Sequence, residues 1–205
     1  LGGGFVGELS GIRLWGKALD TSKVKELAKG ESLDIRSIKS LKDGARVRIL
    51  AKMAVYAPIN LRTNERSAPF FYIADETGAI RVDDSAFGKE PIFAGSRYSF
   101  DASIKTVSGE KVAIPLSEPS LGAEGALQPK LNAFETGSYA KLRGVVGKIE
   151  SEGFILQTAS KPVRVFIAKG MESKKIAKDY EVEAVGVAVS EGLLLSELKL
   201  INPTS

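Results

Sequence analysis

Alternation of apolar and polar side chains recurs along this chain in a rhythm that occurs twice. In the first copy Val47, Ile49, Ala51, Met53 and Val55 fall on one side of an extended segment, and Arg46, Arg48, Leu50 and Lys52 on the other. Phe70-Phe71-Tyr72-Ile73 follows as a strand, Glu76-Thr77-Gly78 as a turn and Ala79-Ile80-Arg81-Val82 as the return. Tyr98, Phe100, Ala102 and Ile104 alternate next, and Ser108-Gly109-Glu110 turns the chain into Val112, Ile114 and Leu116. The order then repeats. Leu142, Gly144 and Val146 lead to Phe154, Leu156 and Thr158, then to Val163, Val165 and Ile167, and a last pair runs over Tyr180 to Ile201. Each copy has the length and strand count of a small five-stranded barrel. Two copies make a tandem, not a solenoid.

Between the copies, Ser117 to Gly137 carries Pro119, Gly122, Gly125 and Pro129 and reads as a linker. Lys169 to Lys178 is a short helix candidate. Before the first copy, Phe5 to Trp15 is strand-like, and Asp20 or Thr21 caps a helix carrying Val24, Leu27 and Ala28. Glu31 to Gly44 is a polar connector in which Leu33, Ile35, Ile38 and Leu41 can pin the chain to a surface. The expected organisation is therefore a strand-helix segment with its connector over 1–44, a first barrel over 45–118, a linker over 119–137 and a second barrel over 138–205. The fold class is mainly β.

Two resemblances sharpen this. Phe71-Tyr72-Ile73-Ala74-Asp75-Glu76-Thr77-Gly78-Ala79-Ile80-Arg81-Val82 resembles the strand-turn-strand of OB-fold domains, five-stranded Greek-key barrels. Such phrases occur in nucleic-acid-binding OB domains and equally in OB-like modules of bacterial extracytoplasmic and sensor proteins. The second copy departs from it, with Gln157-Thr158-Ala159-Ser160-Lys161 where the Asp-Glu-Thr-Gly turn stood. In the N-terminal segment, Phe5-Val6-Gly7-Glu8, Ile12-Arg13-Leu14-Trp15, Ala18-Leu19-Asp20, Val24, Leu27 and Gly30 resemble the closing strand and helix of laminin-G-like, concanavalin-type jelly rolls. That resemblance implies the tail of a larger upstream domain, hence a multidomain, secreted or periplasmic protein. The plain alternative is a strand and helix that brace the first barrel.

Composition narrows the chemistry. The chain of 205 residues has neither Cys nor His. Disulfides, thiolate nucleophiles and every Ser-His or Cys-His arrangement are excluded, and an enzyme would have to work with carboxylates, Lys or Tyr alone. No catalytic residue, metal ligand or cofactor is expected. No apolar run approaches the roughly 18 residues of a membrane helix, so no membrane insertion of this segment is expected either. A net charge of +4, from 29 basic and 25 acidic residues, permits a basic face without requiring one.

If Val47, Ile49, Phe71, Ile73, Ile80 and Val82 point into the first barrel, the pleat turns Arg48, Lys52, Phe70, Tyr72 and Arg81 outward. Arg62 and Arg66, in the loop after the first strand, extend that track. Cations beside aromatics suit single-stranded nucleic acid, by phosphate pairing and base stacking. The same aromatics suit a carbohydrate or protein partner. The bland reading, preferred because two barrels in one chain must pack something between them, buries Phe70 and Tyr72 against the second barrel and leaves the cations solvated. Arg143, Arg164 and Phe166 are the weaker counterparts in the second copy, where Glu181 and Glu183 oppose phosphate. Asp75, Glu76, Asp83 and Asp84 bracket one hairpin, but plain turn chemistry explains them, with Gly78 expected to supply a positive φ and Asp75 to bond the turn backbone. The function expected is a non-enzymatic binding or assembly module, of protein or carbohydrate, with single-stranded nucleic acid as the alternative.

Overall fold

The structure, a computed structural model, describes residues 33–60, 65–66, 68–87, 91–131, 134–168 and 176–202. The N-terminal strand-helix segment with its laminin-G-like resemblance, Arg62, and Lys169 to Lys175 lie outside the described residues.

Strand β1 (Arg46–Tyr56) is followed by a short pair, β2 (Ile59–Asn60) and β3 (Glu65–Arg66), then by β4 (Phe70–Asp75), β5 (Gly78–Asp83), β6 (Ser96–Val107) and β7 (Glu110–Pro115). Ladders run β1-β4-β5-β7-β6, and β6 returns to β1, which closes a five-stranded barrel. All pairings in the ring are antiparallel except β5 with β7. This is the OB-like barrel expected of the first copy, and Ile49, Phe71, Ile73, Ile80 and Val82 are buried in its core with Val47 packed against them.

The alternation breaks inside β1. Pairing with β6 shifts register between Ile49 and Lys52, and Ala51 takes a positive φ of 48°. A β-bulge of this kind adds a residue to one strand and reverses which side chains face in. Ser99 Oγ accepts from the Ala51 N–H at 2.9 Å, and the Arg97 guanidinium donates to the Ala51 carbonyl at 2.9 Å. Beyond the bulge Ala54 points into the barrel, while Met53 and Val55, expected on the side of Ile49, leave it.

The segment 33–44 is not a loose connector. Asp34 caps a short helix, α1 (Ile35–Lys39), its carboxylate accepting from the Ser37 N–H at 2.7 Å. Ile35 and Ile38, one helical turn apart, are fully buried in the barrel core. The helix thereby plugs the barrel. It is anchored through the Asp-Glu-Thr-Gly hairpin: Asp75 accepts from the Ile35 N–H at 2.9 Å, and Thr77 Oγ1 from the Arg36 N–H at 3.1 Å.

After β8 (Ser120–Glu124), which adds to β6, and the short β9 (Lys130–Leu131) come β10 (Tyr139–Glu150), β11 (Gly153–Thr158), β12 (Pro162–Phe166), β13 (Glu181–Val189) and β14 (Gly192–Asn202). Their ladders repeat the first order, β11-β12-β14-β13-β10 with β10 paired back to β11, and again one pairing, β12 with β14, is parallel. Leu142, Val146, Phe154, Leu156, Val163, Val165, Val182 and Ala184 form a separate core. A register shift opposite Val185 and Gly186 leaves the extra residue, Ser196, on β14, and the phase reverses in that strand: Leu200 and Leu198 pack on this core before it, Leu195 and Leu193 after it, and Leu194 turns outward. Alternation along β13 is unbroken, so Ala188 joins Val182 and Ala184 in the core of its own sheet and Val187 faces the other sheet.

Those two outward faces meet. Met53, Val55, Tyr56, Tyr72, Ala74 and Ala79 of the first sheet are buried together with Val187, and Tyr139, Val189 and Leu194 pack against them. The Ser196 hydroxyl donates to the Val55 carbonyl across this seam. Gly137, at the end of the expected linker, pins it: its carbonyl accepts from Ala79 N–H at 2.7 Å, and its N–H donates to the Ala188 carbonyl at 2.7 Å. Gly78 does not carry the expected positive φ. Its lack of a side chain serves proximity instead, since a Cβ there would stand 3.0 Å from the Gly137 carbonyl oxygen. Gly137 has φ +80°, and a Cβ on it would fall on Lys39 Nζ. Gly137→Ala is expected to lower stability by about 1–2 kcal/mol, the cost of a left-handed backbone for a residue with a Cβ. Thermal unfolding checks this, and an unchanged midpoint would refute it.

Candidate functional site

Phe70 and Tyr72 stand on β4, and Arg81 on β5 directly across from Tyr72. The pleat turns all three out of the barrel, as expected, but onto the seam. Tyr72 is buried at 3% exposure, in edge contact with Tyr56 and with Phe70 at ring separations of 6.2 and 6.3 Å. Phe70 stacks on Tyr56 at 6.3 Å and is covered by the Arg81 guanidinium, 4.4 Å above its ring. The reading that these aromatics pack between the two sheets therefore describes them well. Their rings are engaged within the protein and offer no open platform to a base or sugar.

Of the other residues singled out in the first sheet, Lys52 is displaced from the expected track. The bulge puts it on the side of Ala54, where its Nζ pairs with Asp75 at 2.7 Å with both side chains about nine-tenths buried. Asp75 accepts as well from the Thr77 N–H at 2.9 Å and Thr77 Oγ1 at 2.6 Å, the turn bond expected of it. Burial works to raise its pKa, but the hydrogen bonds from Lys52, Thr77 and Ile35 outweigh burial and hold the carboxyl below its ordinary value. Arg48 is exposed on β1, across the ladder from Asp101 of β6. It is not gathered with Arg81. Arg66 lies on β3.

In the second sheet the cations are occupied. Arg143 pairs with Glu181 at 2.8 Å, Lys141 with Glu183 at 2.9 Å and Arg164 with Glu150 at 2.8 Å, while Arg164 also lies 5.1 Å from the Phe166 ring. The pairs are exposed and weak individually. They nonetheless neutralise the face that would have met phosphate.

What the structure brings together, and the sequence did not display, is a cleft of about 580 Å³ at the rim of the seam. That volume is within the usual range for small-ligand sites. Phe70, Tyr72 and Arg81 form one wall, the β6–β7 turn with Glu110 a second, and the β13–β14 turn with Glu191 and Leu194 a third, while Lys39 of α1 closes one end. The Tyr72 hydroxyl donates to Glu110 at 3.3 Å. Burial pushes the Tyr72 pKa well up, and the neighbouring Glu110 charge adds to the rise, so the phenol stays protonated. Arg81 Nε is buried without a hydrogen-bond partner among the described residues. Lys111, also on the lining, is held by Asp43 at 2.7 Å. The Lys111 and Thr106 hydrogen bonds bring the Asp43 pKa down to about 2. Only Phe70, Tyr72 and Arg81 of this cleft could be found from strand alternation. Lys39, Glu110 and Glu191 come from a helix and two hairpin turns far apart in sequence, with no local signal to join them. Among the described residues no cluster of three or more Asp or Glu side chains could hold a metal ion, and no helix is long and apolar enough to cross a membrane.

No family model matches the chain, and no curated protein matches it. Among solved structures it is similar to the crystal structure of the tetrameric p202 HIN2, at 11% identity and a TM-score of 0.35, over 79% of this chain and 98% of that one.

Proposed function

We propose that the chain is a non-enzymatic binding module built from tandem OB-like barrels, and that its ligand, a carbohydrate or a protein segment, enters the cleft where the two sheets meet. The observation that carries this is the convergence there of Phe70, Tyr72 and Arg81 with Lys39, Glu110 and Glu191 around a space of about 580 Å³. The repeated ladder order supports two barrels. The absence of His and Cys from the sequence supports binding over catalysis. A place in a larger extracytoplasmic protein is supported by the laminin-G-like phrase in residues 1–30.

Single-stranded nucleic acid is the weaker reading, because Glu110 and Glu191 line the cleft beside its cations and oppose a phosphate backbone. Fluorescence titration of the full chain with a labelled single-stranded oligonucleotide at low and moderate salt, beside saturation-transfer measurements on a panel of neutral and acidic oligosaccharides, separates the two. Saturation of at least one oligosaccharide is expected, with no oligonucleotide binding. Oligonucleotide affinity that falls steeply with salt, with every sugar silent, would replace the carbohydrate proposal.

A further inference from the structure

The cleft is amphipathic and its charges are arranged unevenly. The guanidinium of Arg81 stands 4.4 Å from the centre of the Phe70 ring, which holds it on the lining of the cleft. Its Nε is buried and makes no hydrogen bond among the described residues. Because that Nε is shielded from the cleft, a ligand meets the guanidinium through the part of Arg81 that lines it. Lys39 lines the same cleft, its ammonium donating to the Ala79 carbonyl at a long 3.4 Å. These two cations ask for an anion with planar geometry. The same lining carries carboxylates that ask for donors. Glu110 spends one lone pair on the Tyr72 hydroxyl at 3.3 Å and keeps others free by the acceptor count of a carboxylate. Glu191 is held ionised by the Ser190 hydroxyl and its own backbone N–H. Val189 and Leu194 add an apolar wall.

We propose that this cleft takes an acidic saccharide of the uronate type. The proposal rests on the binding-module reading above and specifies its ligand. The sugar carboxylate sits on Arg81 and Lys39, its hydroxyls donate to Glu110 and Glu191, and the C–H face of the ring lies against Val189 and Leu194. Glu110 and Glu191 offset the charge of Arg81 and Lys39, so the cleft does not suit a densely charged nucleic-acid backbone. A second pocket of about 190 Å³ shares Lys39, Thr136 and Gly137 with the cleft and is flanked by Arg36 and Lys130. It gives a neighbouring acidic sugar a place, so the ligand is an oligosaccharide running across the Gly137 pin.

Isothermal titration of the full chain with a galacturonate tetrasaccharide tests this, with the methyl ester of the same tetrasaccharide, a single-stranded oligonucleotide and tetraglutamate as parallel probes. The acid is expected to bind, the ester to bind at least about tenfold more weakly, and Arg81→Met to lose about tenfold or more of the acid affinity, as expected for a charge-assisted hydrogen bond. Arg81→Lys, which keeps the charge and loses the planar fork, is expected to fall between. Melting temperatures equal to the parent's show that the variants are folded, and a chemical-shift change at the Gly137 amide on adding tetrasaccharide locates the site if they are not. Equal binding of acid and ester overturns the carboxylate inference and leaves carbohydrate binding standing. Failure of the acid while a neutral sugar of the wider panel binds has the same meaning. Binding of oligonucleotide or tetraglutamate in place of the uronate overturns the ligand class itself.

Discussion

Asp75→Asn is expected to remove about 3–5 kcal/mol of stability, because it strands the ammonium of Lys52 in the protein without a counter-charge. The pair is 2.7 Å apart, with side-chain exposures of only 10% and 11%. The same carboxylate receives the first helical N–H, at Ile35, and closes the β4–β5 turn through Thr77. One side chain therefore joins strand β1, the hairpin and the helix that plugs the barrel. Urea unfolding followed by circular dichroism measures the loss, and a change below about 1 kcal/mol would show that water reaches the pair freely. Lys52→Met on the Asp75→Asn background is expected to recover part of it, since no charge then stays buried. The pH dependence follows with a definite sign. Hydrogen bonding holds the folded-state carboxyl below its unfolded value of about 3.9. Its stabilising contribution is complete above that unfolded value and drains away as pH falls through the lower folded one. Below about pH 4 the Asp75→Asn variant should thus lose stability less steeply than the parent.

Strand positions were legible because period-two alternation is a local signal. The segment Arg46 to Tyr56, chosen on that pattern, coincides with β1, and Phe154, Leu156, Val163 and Val165 face inward as their alternation required. What alternation cannot show is a change of phase. Nothing in Ile49-Leu50-Ala51-Lys52 announces a bulge, since Ala51 holds a positive φ of 48° without being Gly. Its supports, Ser99 and Arg97, arrive from a strand over 40 residues later. For that reason alone, unbroken alternation puts Lys52 on the outer face, where the structure does not place it. The helix α1 left a fainter trace, an Asp cap and two isoleucines three apart, within a stretch too short and polar for helical periodicity to stand out. The candidate cleft was legible only on its strand-borne wall.

The two bulges have a joint effect that defines the second large prediction. Without the phase change in β1, Met53 and Val55 would point into the first barrel, and without that in β14 Leu194 would share a face with the core of its own sheet. With both, each sheet keeps its own core and contributes a few apolar side chains to a shared seam around Val187, which is fully buried there. Val187→Asp places a charge in that seam with no cation among the buried groups around it, a loss of several kcal/mol if the seam stays shut. Opening the seam and hydrating the carboxylate is the cheaper response, because neither separate core has to be broken. Scanning calorimetry of the parent chain is expected to show the two sheets unfolding as one transition, and that of Val187→Asp to show it resolved into two, with the cleft ligand no longer shifting either. Val187→Ala, which thins the seam without charging it, should lower the midpoint and keep one transition. A single transition for Val187→Asp, shifted but not divided, would mean that the Gly137 pin and the Ser196 bond hold the sheets together without the apolar seam.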